Sequence, residues 1–270
     1  MRKLSLIPGL FVFFLLPMIL MISSCGNVLQ GNLFQNFDGP PEAGDILRKH
    51  VQADGTVAPG NAAAFIRDLD DAASSPRFFR ELSAADRRKL DTALRSVYGE
   101  ESGVELPLRQ KAAILAGEVN MRGNDAGATA NNAIDVLTGD GTEIFEDSRA
   151  LLDEIIPADA MGDPARIKAI LDNLAAAGDA YEALGKTLDG DNTAPAGTNM
   201  GAVAQNALVA ITVRNIVGAN GDTAKLAAAI ADPDGEIQDP DFGDDGVFGP
   251  EGSPLRNIFN KAGLGGVLDD

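Results

Sequence analysis

The chain is short of the residues most protein chemistry draws on: one cysteine, one histidine, no tryptophan and two tyrosines in 270 residues. A single cysteine closes no internal disulfide, so this is not a small secreted scaffold held by cross-links. One histidine and one cysteine also fall short of the usual zinc sites, which take several such ligands. Basic residues are the minority, 22 Lys and Arg against 40 Asp and Glu, for a net charge of −18. A surface of that sign repels phosphate and argues against nucleic acid as a partner. Carbohydrate subsites lean on aromatic platforms, and only 5% of the residues here are aromatic. Phosphate-loop, dinucleotide and nucleophile-elbow fingerprints are missing as well.

What is present begins with an address. Arg2 and Lys3 precede an apolar stretch, Leu4 to Ile22, whose core from Leu10 carries Pro17. That core is shorter than the roughly 20 residues of a spanning helix, so residues 1–24 read as a secretory signal. Ile22-Ser23-Ser24-Cys25-Gly26 follows: an aliphatic residue, two small ones and the cysteine. This run resembles the lipobox of bacterial lipoproteins, with Ile22, Ser23 and Ser24 as the box and Cys25 as the modified residue. The resemblance implies cleavage before Cys25, a diacylglycerol on its sulfur and an acyl chain on the new amino group. Two or three acyl chains anchor stably, at about 0.8 kcal/mol per buried CH₂.

Cleavage removes Arg2 and Lys3 but no acidic residue, so the mature surface is more acidic still. Lipid, not charge, must then hold the protein at an anionic membrane. Gly26 stands where some lipoproteins carry the aspartate that retains them in the inner membrane, which favours the outer membrane. Residues 25–41, with their Gly, Asn and Gln and the closing Gly39-Pro40-Pro41, read as a flexible tether. Such a segment spans roughly 20–25 Å. Leu33, Phe34 and Phe37 could dock on the domain or the bilayer.

From residue 42 to 270 the pattern predicts a single all-α domain of αα-hairpins, a bundle or irregular α-array. Ser83-Ala84-Ala85-Asp86 resembles a capping box, ahead of Leu90, Leu94 and Val97 on one face and Gly99 at the end. Ile144, Leu151, Leu152 and Ile155 make another stripe before Pro157. Asp163-Pro164 and Ser253-Pro254 each place a capping residue before a first-turn proline. Residues 202–218 are apolar around most of the circumference. Their length, with Asn206, Arg214 and Asn215, points to a buried central helix and not a membrane span.

Weak internal repetition runs through the middle of the chain. Gly178-Asp179 and Gly221-Asp222 each follow a helical segment and lead to an acidic turn, Asp189-Gly190-Asp191-Asn192 or Asp232-Pro233-Asp234-Gly235. Gly123-Asn124-Asp125 is a looser third copy. The pattern predicts a tight turn at each of these sites, with helices packed as hairpins across it. Residues 107–235 thereby resemble tetratricopeptide-type repeats: Ala183 and Leu184 match the second helix of that unit, and Ile167, Ile170 and Leu174 match its first. Leu171 stands where the family carries a small residue. The copies at Asp125, Asp179 and Asp222 are also spaced unevenly and more widely than its roughly 34 residues. The resemblance implies peptide or protein binding in a concave groove, as in lipoproteins that accompany TRAP-class solute uptake systems.

Two features invite a chemical reading. Residues 232–246 carry seven carboxylates and no basic side chain, inside an acidic loop at 232–250. Crowded oxygen donors beside glycines suit Ca²⁺, with Asp232, Asp234, Asp239 and Asp241 as the candidate ligands. The spacing departs from an EF-hand, and the simpler expectation is a solvated loop held open by its own repulsion. Phe242 and Phe248 alone hint that it packs against something. His50 closes an apolar segment where a cation is favourable, and the expectation is a surface residue without a catalytic role.

The expected function is therefore a membrane-anchored envelope lipoprotein that binds or scaffolds a protein partner, without catalysis or cofactor. The first alternative is the ligand-binding component of a solute uptake system, which a pocket lined by Arg95, Arg109 or Arg122 would favour. The second is a carboxylate-dependent envelope hydrolase, which requires two carboxylates facing each other across a cleft.

Overall fold

The computed structural model describes residues 42–122, 125–139, 147–243 and 246–267. The expected signal, the expected lipobox Ile22, Ser23 and Ser24, the expected lipidation site Cys25 and the expected tether all lie outside these residues, as does Ile144. Among the described residues there are eleven α-helices and no strand, only an isolated antiparallel bridge between Val51 and Val57. The fold is all-α.

The first four helices are α1 (Ala43–His50), α2 (Ala62–Ala73), α3 (Pro76–Glu81) and α4 (Ala84–Tyr98). Then come α5 (Leu106–Met121), α6 (Ala126–Gly139), α7 (Ser148–Ile155) and α8 (Pro164–Thr187). The last three are α9 (Met200–Ala219), α10 (Thr223–Ala231) and α11 (Pro254–Lys261).

Capping chemistry sets several of these boundaries. The Ser83 hydroxyl accepts from Asp86 N and donates to the Asp86 carboxylate. Aspartate is too short to reach back to the Ser83 amide, so the reciprocal bond runs between side chains. Asp163 accepts from the amides of Ala165 and Arg166 at the start of α8. Ser253 departs from its expected role: its hydroxyl donates to the carbonyl of Phe248 and caps nothing in α11.

Helix α8 is the axis of the domain, packed by α5, α9, α10 and α11. Ile167, Ile170, Leu171 and Leu174 are fully buried along it. Each such side chain contributes about 1.5–3 kcal/mol by leaving water. Glycines let the neighbours come close. A Cβ at Gly117 of α5 would lie 2.3 Å from Cζ of the buried Tyr181 ring on α8. A Cβ at Gly178 would lie 2.6 Å from the Ala210 carbonyl of α9, and one at Gly185 would lie 2.2 Å from the Pro254 carbonyl. Helix α9 is the apolar segment foreseen at 202–218, and it is buried in the domain along much of its length.

The repeat reading needs correction at one copy. Gly178 and Asp179 lie inside the unbroken 24-residue α8, so no turn separates two helices there. The glycine serves close helix packing instead of a left-handed turn. At the other described copy the turn is real: Gly221 adopts φ +90° and Asp222 caps α10 through Lys225 N. Gly123 and Asn124 lie outside the described residues.

Candidate functional site

A cleft of about 400 Å³ opens between the α4–α5 connection, α8 and α9. Its walls follow from helix periodicity. Asp179, Glu182, Ala183 and Lys186 recur at three- and four-residue intervals and share one stripe of α8. Arg214 comes from α9, held close because Gly178 admits the Arg214 stem against the α8 backbone. Arg109 stands in the first turn of α5, and its Nε donates to the Tyr98 carbonyl at the end of α4 over 3.3 Å. That contact gives an otherwise open helix-end carbonyl a cationic donor.

A continuous ionic chain runs along this cleft. Arg214 bonds Asp179 at 2.7 Å and also pairs with Glu182, which takes Lys186 at 2.8 Å on its other oxygen. Arg95 of α4 reaches Asp179 at 3.1 Å and its own-helix Asp91 at 2.9 Å. Asn120 of α5 donates to the second Asp91 oxygen at 2.7 Å. Three helices are thus tied by alternating charges and a fourth, α5, by the Asn120 amide, largely in part-buried positions where such bonds outweigh exposed pairs.

Three groups in the cleft stand outside this chain. Among the described residues Arg109 has no carboxylate partner and Glu100, exposed on the turn, has no partner at all. The Tyr98 hydroxyl is buried without a hydrogen-bond partner, and burial pushes its pKa up. Asp179 and Glu182 do not face each other across the cleft; they stand on one stripe of one helix and share Arg214.

Of the three arginines singled out by sequence, only Arg109 lines the cleft. Arg95 supports it through Asp179, and Arg122 stacks over the Phe79 ring with its Cζ 4.7 Å from the centroid.

The calcium candidates do not converge. Asp232 and Asp241 accept from backbone amides two residues on, at Asp234 and Gly243. Asp239 accepts from Ser148 N at the start of α7. No group of three or more His, Cys, Asp and Glu side chains is arranged to hold a metal among the described residues. The picture of a loop held open by repulsion also needs correction, because its first half is fastened. Arg149 of α7 donates from one nitrogen to the carbonyls of Ala229, Asp232 and Gly235. Asn220 exchanges two hydrogen bonds with the backbone of Gln238. The missing positive charge is supplied from more than eighty positions earlier in the chain. Further on, Phe248 packs edge-on to Phe259 of α11, the contact its aromatic ring foreshadowed.

His50 is the other departure from expectation. It is buried, with its side chain 5% exposed, and Nε2 lies 2.8 Å from Oδ2 of Asp68 on α2. Lys49 joins the same carboxylate at 2.6 Å and Arg67 the other oxygen at 2.8 Å. Hydrogen bonds from Lys49, then His50 and Arg67, hold the Asp68 carboxyl far below the usual carboxylate range. The cleft and the Asp68 cluster escaped sequence reasoning because their members are distant in the chain. The α8 stripe at 179, 182 and 186 was the one local signal of the cleft. No protein-family model, no curated protein and no solved structure matches the chain.

Proposed function

We propose that this protein is an envelope lipoprotein, held at the membrane by acyl chains on Cys25, whose helical domain works by binding a protein partner as a scaffold or accessory subunit. The observation that carries the reading is the run Ile22-Ser23-Ser24-Cys25-Gly26 behind a basic and apolar leader. It is supported by the chemistry of the domain. Asp179 and Glu182 of the cleft are engaged with arginine and lysine, and Asp232, Asp239 and Asp241 of the acidic loop accept from backbone amides. The acidic surface calls for an anchor other than charge.

The test is metabolic labelling with a palmitate analogue, joined to in-cell crosslinking and mass spectrometry, on the native chain and on Cys25→Ala. The native chain takes up label, sediments with membranes and recovers one partner reproducibly; the variant does none of these. An unlabelled native chain sinks the anchor, and a labelled chain without a partner above background sinks the scaffold role. One observation favours a second reading, the ligand-binding component of an uptake system: Arg109 lines the main cleft with no acidic partner.

A further inference from the structure

We infer that the cleft between the α4–α5 turn, α8 and α9 binds a small zwitterion of the α-amino-acid class, with its carboxylate on Arg109 and its ammonium group on Glu100. The inference rests on reading the domain as a binding module, and on the second form of that reading.

Charge balance selects the ligand class. Glu100, Asp179 and Glu182 oppose Arg109, Lys186 and Arg214, so the lining sums to zero. A dianion or a dication would meet as much repulsion as attraction there, whereas a neutral molecule with separated charges can be matched at both ends. Four of the six charges are already spent: Asp179, Glu182, Lys186 and Arg214 saturate one another. The remaining two are one cation and one anion, and they do not pair with each other.

Arg109 suits a carboxylate. Its Nε is fixed by the Tyr98 carbonyl, which orients the guanidinium plane and leaves the two terminal nitrogens uncommitted. A planar fork of that kind takes a carboxylate through paired hydrogen bonds. Tyr98 also lines the cleft, and its carbonyl is the group that holds Arg109 in place. Leu106 and Ala183 add apolar wall for a side chain. The volume, about 400 Å³, falls in the range of small-molecule sites.

The experiment uses the lipidated full-length protein in detergent micelles. Saturation-transfer NMR screens the common L-amino acids, and calorimetry follows any binder together with its deaminated and decarboxylated analogues. At least one amino acid binds, and each analogue, lacking one charge, binds about tenfold more weakly or worse. Arg109→Ala and Glu100→Gln each weaken the amino acid by about tenfold. Glu100→Gln leaves the deaminated acid unaffected, which separates loss of a ligand contact from loss of fold. Arg109→Lys keeps the charge, loses the fork and restores only part of the affinity.

Binding of no amino acid overturns the inference. So does a deaminated acid that binds as tightly as its parent, or native affinity in both variants. Recovery of the crosslinked partner is scored separately. A retained partner with an empty cleft refutes this inference and leaves the scaffold reading standing.

Discussion

A methyl group added at Gly117 probes the contact that sets the spacing of α5 and α8. Its carbon would sit 2.3 Å from Cζ, 2.6 Å from Cε1 and 2.7 Å from the hydroxyl oxygen of Tyr181. Carbon atoms rest at about 3.5–4.0 Å, so the ring or the helix must retreat by more than about 1 Å. Tyr181 is fully buried, and interiors at crystal-like density offer little room for that retreat. Overpacking of this kind costs about 1–3 kcal/mol, and the size of the overlap places Gly117→Ala at the upper end. Against it stands a gain of about 1 kcal/mol from replacing a mid-helix glycine. The net loss is about 2 kcal/mol, or about 4–8 °C in Tm for a domain of this size.

Gly218→Ala is the matched control. It lies in α9, and a Cβ there would have nothing within 4 Å. The same backbone gain then acts alone, and stability rises by about 0.5–1 kcal/mol. A double-mutant cycle with Tyr181→Leu completes the case, since removing the ring turns Gly117→Ala neutral or stabilising and yields a coupling of about 2–3 kcal/mol. Thermal and urea unfolding read all of these variants. If Gly117→Ala stabilises as Gly218→Ala does, or costs the same with and without the tyrosine ring, the packing argument is refuted.

Two other perturbations test the distant contacts. Arg149→Ala removes the donor shared by the carbonyls of Ala229, Asp232 and Gly235. Amides 232–238 then exchange faster by hydrogen–deuterium mass spectrometry while α8 stays protected; unchanged exchange there means the arginine does not fasten the loop. Asp68→Asn is the pH test. Because hydrogen bonds from Lys49, His50 and Arg67 depress the folded pKa, the native carboxylate stabilises the fold above its unfolded value of about 4, and that stabilisation is lost as pH falls below it. The variant is therefore less stable by about 1–3 kcal/mol at neutral pH, and the gap to the native chain closes progressively in acid unfolding series below about pH 4. A gap that stays constant down the series removes Asp68 as its source.

Local patterns carried the sequence reading a long way. The helix starts at Ser83 and Asp163 were legible because a capping side chain bonds amides two or three residues on, within reach of a short motif. The buried faces of α4 and α8 followed from apolar residues at helical spacing. The all-α class required nothing beyond that periodicity. Gly178 shows where such reasoning stops. Gly-Asp reads as a turn when only neighbours are considered, yet the backbone of α9 needs the space above that glycine, and the helix runs on through it.

The acidic loop fails as a local reading in the same way, since its counter-charge, Arg149, sits on another helix. His50 and Asp68 are eighteen positions apart and meet only because α1 and α2 pack together. The cleft is the furthest case, with Tyr98, Arg109, Asp179 and Arg214 drawn from four helices. Capping and periodicity are settled among residues a few positions apart along the chain, so order alone suffices to write them, as it does the run Ile22-Ser23-Ser24-Cys25-Gly26 that resembles a lipobox. Which charges meet, and which are left without a partner, depends on how tightly the helices approach, and that is decided by glycine notches and ring volumes acting across the core.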